Sequence, residues 1–181
     1  MSAGTLTIEF VPLAHRDLAL MTSWLHAPHW REWWGEPDAE LEHIVDMIEG
    51  RDSTRPYLFH IDGVPLGYIQ LWFIAEQRGH DEVLAEHPWL SLLADDTVGV
   101  DLSIGNSCRL SQGIGSRTLR QFAEQLVAEG CTTIIIDPDP DNRRAVRAYE
   151  KAGFRTVSRL LGRTGDSLIM QYEPRAKVDA A

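Results

Sequence analysis

Residues 132–136 read TTIII, an unbroken β-branched and apolar run that stops at Asp137 and Pro138. Such residues favour extended backbone, and a strand apolar at every position is buried on both of its faces. A chain carrying such a strand must cover both sides of its sheet with other elements, and helices are the usual cover. The flanking sequence supplies them. Gly113 to Glu129 places Leu119, Phe122, Ala123, Leu126 and Val127 on one helical face and Arg117, Arg120, Gln121, Glu124 and Gln125 on the other. Beyond the DPDP turn, Asp141 or Asn142 caps a second helix that runs to Lys151 and ends at Gly153.

The same patterns extend outward in both directions. Thr5 to Phe10 alternates as a short strand, His15 to Leu25 is helical, and Asp38 caps a helix to Glu49. Pro28, Gly35 and Pro37 break any continuous helix between those two. Tyr57 to Ile61 and Leu66 to Phe73 form a hairpin through Asp62-Gly63. Residues 76–96 read as a long polar connection with one helical turn, and Thr97 to Ile104 is the next strand. Phe154 to Leu161 and Ser167 to Tyr172 pair last. The prediction is one α/β domain, a mixed and mostly antiparallel sheet flanked by helices, over residues 1–175, with a flexible tail over 176–181. The 181-residue length suits one core.

Composition narrows the partners. A formal net charge of −10 argues against nucleic acid, and no apolar run approaches the roughly 18 residues of a membrane span. MSAGTLTIEF lacks the basic-then-apolar character of a secretory signal. Cys108 and Cys131 have neither metal-site nor CxxC spacing, and the short HxxH of His26 and His29 has no companion ligands, so no metal is expected. A reducing cytoplasm fits these features, with the protein a monomer or homodimer.

Two stretches carry chemistry. The first, SQGIGS over 111–116, joins the Thr97–Ile104 strand to the Gly113–Glu129 helix, with bare glycines where the helix starts. A helix start has about four unpaired N–H groups and partial positive charge, so the loop can cradle a phosphate or simply pack tightly. It is not a Walker loop, and Thr118 stands where a dinucleotide fingerprint needs its third glycine. The second stretch is NRRAVRAYEKAGF, Asn142 to Phe154.

That second stretch resembles the C-terminal motif of the GNAT superfamily of N-acetyltransferases, N-x-x-A-x-x-x-Y-E-K-x-G-F, through Asn142, Ala145, Tyr149, Glu150, Lys151, Gly153 and Phe154. The glycine loop is then similar to the superfamily's pyrophosphate motif, Q/R-x-x-G-x-G/A, except that Leu110 stands at the basic or amide position, flanked by Arg109 and Gln112. Within the superfamily the chain most resembles the aminoglycoside 6′-N-acetyltransferases. The similar stretches are EWWGE over 32–36, PYLF over 56–59, GVPLGYIQ over 63–70, Asp101, and the DPDPDN-to-AGF block over 137–154.

The resemblance implies a GNAT fold and acetyl-CoA as co-substrate. The pantetheine arm would add like a strand beside Val100–Ile104, against Leu102, Ser103 and Ile104. The pyrophosphate would sit on Arg109, Ser111, Gln112, Gly113, Ile114, Gly115 and Ser116, with Asn142, Ala145, Tyr149 and Lys151 near the arm. Tyr149 shares a helical face with Asn142 two turns earlier; it either protonates the departing thiolate or packs the helix on the sheet.

The acceptor amine must lose a proton, because primary amines are mostly protonated at pH 7. Asp101, a charge in an otherwise apolar strand, is the candidate general base. Asp137, at the carboxyl end of the buried strand, either binds substrate or organises its turn. A cationic aminosugar would want carboxylates for its ammonium groups and flat faces for its ring. Trp33, Trp34 and Tyr57 can supply faces, Glu36, Asp101 and Asp137 charge, and Gln70 a hydrogen bond, with Glu32 a further acid. At least one of Trp30, Trp33 and Trp34 is expected in the core. Glu86 and Trp89 are candidates for lining the cleft. The expected activity is transfer of acetyl to the 6′-amino group of aminoglycosides, which is antibiotic resistance. The alternatives are a siderophore-pathway acyltransferase acting on an N-hydroxylysine-type side chain, and a non-catalytic acyl-CoA- or antibiotic-binding module.

Overall fold

The computed structural model describes residues 7–174. The start of the expected first strand and the expected tail over 176–181 therefore lie outside the described residues. The chain runs β1 (Ile8–Pro12), α1 (Leu18–Leu25), α2 (Pro28–Trp34), α3 (Pro37–Ile48), β2 (Arg55–Ile61) and β3 (Val64–Phe73). There follow α4 (Ile74–Gln77), α5 (Asp81–Glu86), β4 (Thr97–Ile104), α6 (Ile114–Ala128), β5 (Thr133–Ile136), α7 (Arg143–Ala152), β6 (Phe154–Thr156) and β7 (Met170–Tyr172).

One seven-stranded sheet has the order β1-β2-β3-β4-β5-β7-β6. Only β4 and β5 are parallel; every other neighbouring pair is antiparallel. The mixed, mostly antiparallel α/β domain expected from the sequence is the one observed. Ile134 and Ile136 face a core built with Leu119, Phe122, Leu126 and Phe154, while Ile135 faces another with Trp72, Trp89 and Ile169. The isoleucines of the TTIII run are thus buried on both faces, as their composition demands, while Thr132 is exposed just before β5.

Three expectations need correction. Residues 28–34 are helical, because Pro28 occupies the first turn, where its missing N–H costs nothing; Gly35, at φ 97°, then ends the helix. The 76–96 connection holds two short helices and a 3₁₀ turn, Pro88–Leu92, whose Trp89 and Leu90 are core residues. The last two strands are only three residues each, since Ser158–Leu160 turns as 3₁₀ helix and buries Leu160.

Two details position the site. β4 pairs with β5 only from Thr97 to Gly99, so from Val100 onward its far edge has no partner strand among the described residues. The sheet parts there. Gly99 lies beneath the indole of Trp72; a Cβ on it would come within 2.0 Å of that ring. The absent side chain lets Trp72 lie flat on β4 beside Asp101.

Candidate active site

The parted strands open into a cleft of about 780 Å³. β4 contributes Asp101, Leu102, Ser103 and Ile104. The following loop and α6 contribute Leu110, Ser111, Gly113, Gly115 and Ser116, and α7 contributes Arg144, Arg147, Tyr149 and Lys151. Gln70 enters from β3, Asp137 from the end of β5, Trp33 and Trp34 from α2, and Glu40 from α3.

The glycine loop has the features of an anion cradle. Gly113 is the N-cap of the fifteen-residue α6, in the left-handed region at φ 76°, and offers no side-chain hydrogen bond to the helix start. Ser111 is also left-handed, at φ 61°, a strained state for a residue with a side chain. The first-turn N–H groups of α6 therefore lack a capping side chain, where partial positive charge accumulates. Three of the four cations of α7, at 144, 147 and 151, line the cleft; they follow i, i+3 and i+7 spacing and so share one helical face. A phosphate-bearing donor fits this part of the cleft, and an acyl-pantetheine arm fits the open β4 edge.

The opposite chemistry gathers around Asp101. Gln70 pairs with it across the β3–β4 ladder, and Gln70 Nε2 donates to Asp101 Oδ2 at 2.8 Å. Gln70 Oε1 in turn accepts from the hydroxyl of Tyr68 at 2.6 Å. Burial raises the Asp101 carboxyl above the ordinary carboxylate range, opposed by hydrogen bonds from Gln70 and the Trp72 indole. Asp137 is raised further, by burial and then by the Asp101 charge. Glu40 is raised by burial, with His43 pulling it down and Asp101 pushing it up. Burial, then the charges of Asp101 and Asp137, drives the Tyr149 hydroxyl well above its usual value, so it stays a proton donor at neutral pH.

The tryptophan-rich stretch divides its labour. Trp30 is fully buried among Met21, Leu25, Ile44 and Tyr68, while Trp33 and Trp34 face the cleft. Trp34 stands edge-on to Tyr68, with ring centroids 5.6 Å apart. The Trp30 indole N–H donates to the carbonyl oxygen of Ile104 at 3.0 Å, and His29 Nε2 bonds the same oxygen at 2.9 Å. Two consecutive side chains of α2 thereby fasten it to the last residue of β4.

Not every expected residue reaches the cleft. Tyr57 lies on the other face of the sheet, its ring 5.7 Å from that of Phe122 on α6. Glu36 is exposed at the N-cap of α3, and Glu32 is exposed too; the carboxylate from this region that lines the cleft is Glu40. Arg109 is exposed, and Gln112 is bonded to the Cys108 carbonyl; neither side chain lines the cleft. Ile114 buries its side chain in the core, leaving only its backbone to the loop. Asn142 and Ala145 line the cleft, but Asn142 Oδ1 is engaged by the Ala145 N–H as a helix cap. Trp89 is buried and Glu86 exposed, both outside the cleft. Glu40 had a signal: it sits three residues after buried Pro37 and four before buried Ile44, on the inward stripe of α3.

A split sheet with an uncapped helix start on one side and gathered carboxylates on the other defines an acyl-transfer cleft. The acetyltransferase (GNAT) domain family matches residues 14–160, and the chain belongs to that family. An aminoglycoside N(6′)-acetyltransferase type 1 from Klebsiella pneumoniae is 31% identical over 166 residues, covering 87% of this chain and 79% of its own. The solved structure of AAC(6′)-Ib with paromomycin and acetyl-CoA is similar at TM-score 0.77 and 28% identity, over 96% of this chain and 99% of that one. The same enzyme with coenzyme A and kanamycin gives TM-score 0.73 and 29% identity, over 93% and 95%. The protein is an acetyltransferase of the GNAT type. Among the described residues no helix is long and apolar enough to cross a membrane.

Proposed function

We propose that the chain transfers acetyl from acetyl-CoA to the 6′-amino group of aminoglycosides, in a cytoplasmic setting suited to its unpaired Cys108 and Cys131. The observation that carries this reading is the convergence of Glu40, Asp101 and Asp137 with the faces of Trp33 and Trp34 in one cleft. Three carboxylates from three separate elements suit an acceptor with several ammonium groups, and two indoles suit the C–H faces of its rings. A single hydroxylamino side chain with an acyl tail would leave two of those half-buried carboxylates unpaired, which disfavours the siderophore-type alternative.

Acetyl-CoA supplies the activated thioester. Backbone N–H groups of 113–116, with Arg144, Arg147 and Lys151, hold its phosphates, and the open β4 edge at Leu102–Ile104 aligns its arm. Asp101 accepts the proton of the incoming ammonium, leaving a neutral nitrogen to attack; Gln70 orients its carboxylate. Tyr149 protonates the departing thiolate. Trp33, Trp34, Glu40 and Asp137 hold the sugar.

The test is thiol release from acetyl-CoA with purified protein and a panel of kanamycin-type sugars, matched sugars lacking the 6′-amine, and N-hydroxylysine. Release only with 6′-amino sugars is expected. Release only with N-hydroxylysine, or acetyl-CoA binding without turnover of any amine, overturns the reading. Tyr149→Phe should lower kcat by about 10²-fold, the scale of one lost proton transfer, with the KM for acetyl-CoA little changed; wild-type kcat in that variant would remove Tyr149 from the reaction.

A further inference from the structure

The chain of hydrogen bonds ending at Asp101 begins at a residue with no access to the cleft. Tyr68 is fully buried, boxed by Trp30 at 6.2 Å and Trp34 at 5.6 Å between ring centroids. Its hydroxyl has one proton and two acceptors within reach, Gln70 Oε1 at 2.6 Å and Met47 Sδ at 3.6 Å. A thioether is a weak acceptor, so the amide oxygen takes the proton. That bond fixes which way the Gln70 amide points. With Oε1 committed to Tyr68, Nε2 is the atom presented to Asp101, at 2.8 Å.

We propose that Tyr68 is a positioning residue that locks the Gln70 amide so as to hold Asp101 in its proton-accepting form. The inference rests on the role given to Asp101 above. Its logic is one of donors and acceptors. An ionised Asp101 accepts from Nε2, and every proton in the chain has a good acceptor. A proton on Asp101 Oδ1 weakens the bond that Oδ2 accepts from Nε2, and a proton on Oδ2 needs an acceptor from Gln70 itself. If Gln70 turned to offer Oε1, its NH₂ would face Tyr68 and leave the buried hydroxyl proton only the sulfur of Met47. An unmet buried polar group is costly, so the protonated arrangement is disfavoured. Tyr68 thereby opposes the effect of burial, which pushes the Asp101 carboxyl up and favours its protonated form.

Other titratable groups set the background: Glu40 from α3, Tyr68 itself from β3, Asp137 after β5 and Tyr149 from α7 feel the Asp101 charge, and His29, His43, His87 and Arg144 line the same cleft. Apart from Tyr68, none of these lies within the Tyr68–Gln70 link, and Tyr68→Phe leaves the others in place.

The experiment follows the Asp101 carboxyl directly. In protein carrying ¹³C at aspartate carboxyls, its resonance is assigned by its loss in Asp101→Asn and titrated in wild type, Tyr68→Phe and Met47→Leu. Tyr68→Phe should move the midpoint up by about 0.5–1 pH unit, the size of one lost hydrogen bond. The acid limb of kcat/KM should move with it, while the KM for acetyl-CoA stays put. Met47→Leu should leave the midpoint where it was. An unmoved midpoint in Tyr68→Phe, or an equal shift in Met47→Leu, overturns the proposal, the latter by making packing the cause. Gln70→Leu gives a second route: it should raise the midpoint at least as far, with Tyr68→Phe adding nothing on top of it. Independent shifts that add would likewise overturn the link. Turnover of Asp101→Asn, measured separately, decides whether Asp101 is the base, so the two readings fail by different results.

Discussion

Asp101→Asn should lower kcat/KM at pH 7 by about 10²–10⁴-fold, the range of general-base assistance, while acetyl-CoA binding survives. Asparagine keeps the shape and can still accept from Gln70 Nε2, so the 2.8 Å contact across β3 and β4 has a replacement partner. What it cannot do is take a proton. The loss should shrink as pH rises and more of the acceptor amine is already neutral, a dependence that misfolding would not produce. Stopped turnover is read by thiol release and acetyl-CoA affinity by calorimetry. Turnover within threefold of wild type at pH 7 would show that the amine is deprotonated elsewhere.

Trp30→Ala should be the most damaging single change to stability. The side chain is fully buried at the meeting of α1, α2, α3 and the sheet, and emptying such a site costs about 3–5 kcal/mol. It also strands the Ile104 carbonyl with His29 as its remaining side-chain donor. For a domain of this size the midpoint of thermal unfolding should fall on the order of 10 °C. Trp30→Phe separates the two contributions, retaining most of the packing but not the indole N–H. A thermal midpoint unchanged in Trp30→Ala would mean that α2 does not depend on this anchor.

Much of this was legible in the residues because backbone requirements leave strong marks. The 111–116 loop and the helix after Asn142 lie where their spacing placed them, and Ile134–Ile136 form the doubly buried strand expected of the TTIII run. The substrate side was read less well. Tyr57, Leu58 and Phe59 are consecutive and all apolar in character, so no alternation says which of them faces the cleft; pairing with Ile69 turns Tyr57 away. Glu40 was passed over for Glu36 because Pro37, in the first turn of α3, hid where the helix starts, and the two acids stand one turn apart, one at the exposed N-cap and one on the inward stripe. Pro28 was taken as a breaker, although at a helix's first turn it is a starter. The 76–96 segment packs through Trp89 and Leu90, tertiary anchors that no local pattern announces.

The three acids of the cleft have a thermodynamic consequence. Each holds its proton more tightly in the folded chain than in the unfolded one, so their share of stability is fullest in acid and drains away as pH climbs past the folded values. A polycation entering the cleft reverses that drain by favouring the ionised forms. Where these acids still carry protons, its arrival should expel them into the buffer, and its apparent heat should then differ between phosphate and Tris. Affinity should strengthen as pH rises through the folded values of these acids until the ligand's own ammonium groups begin to discharge, and added salt should weaken it.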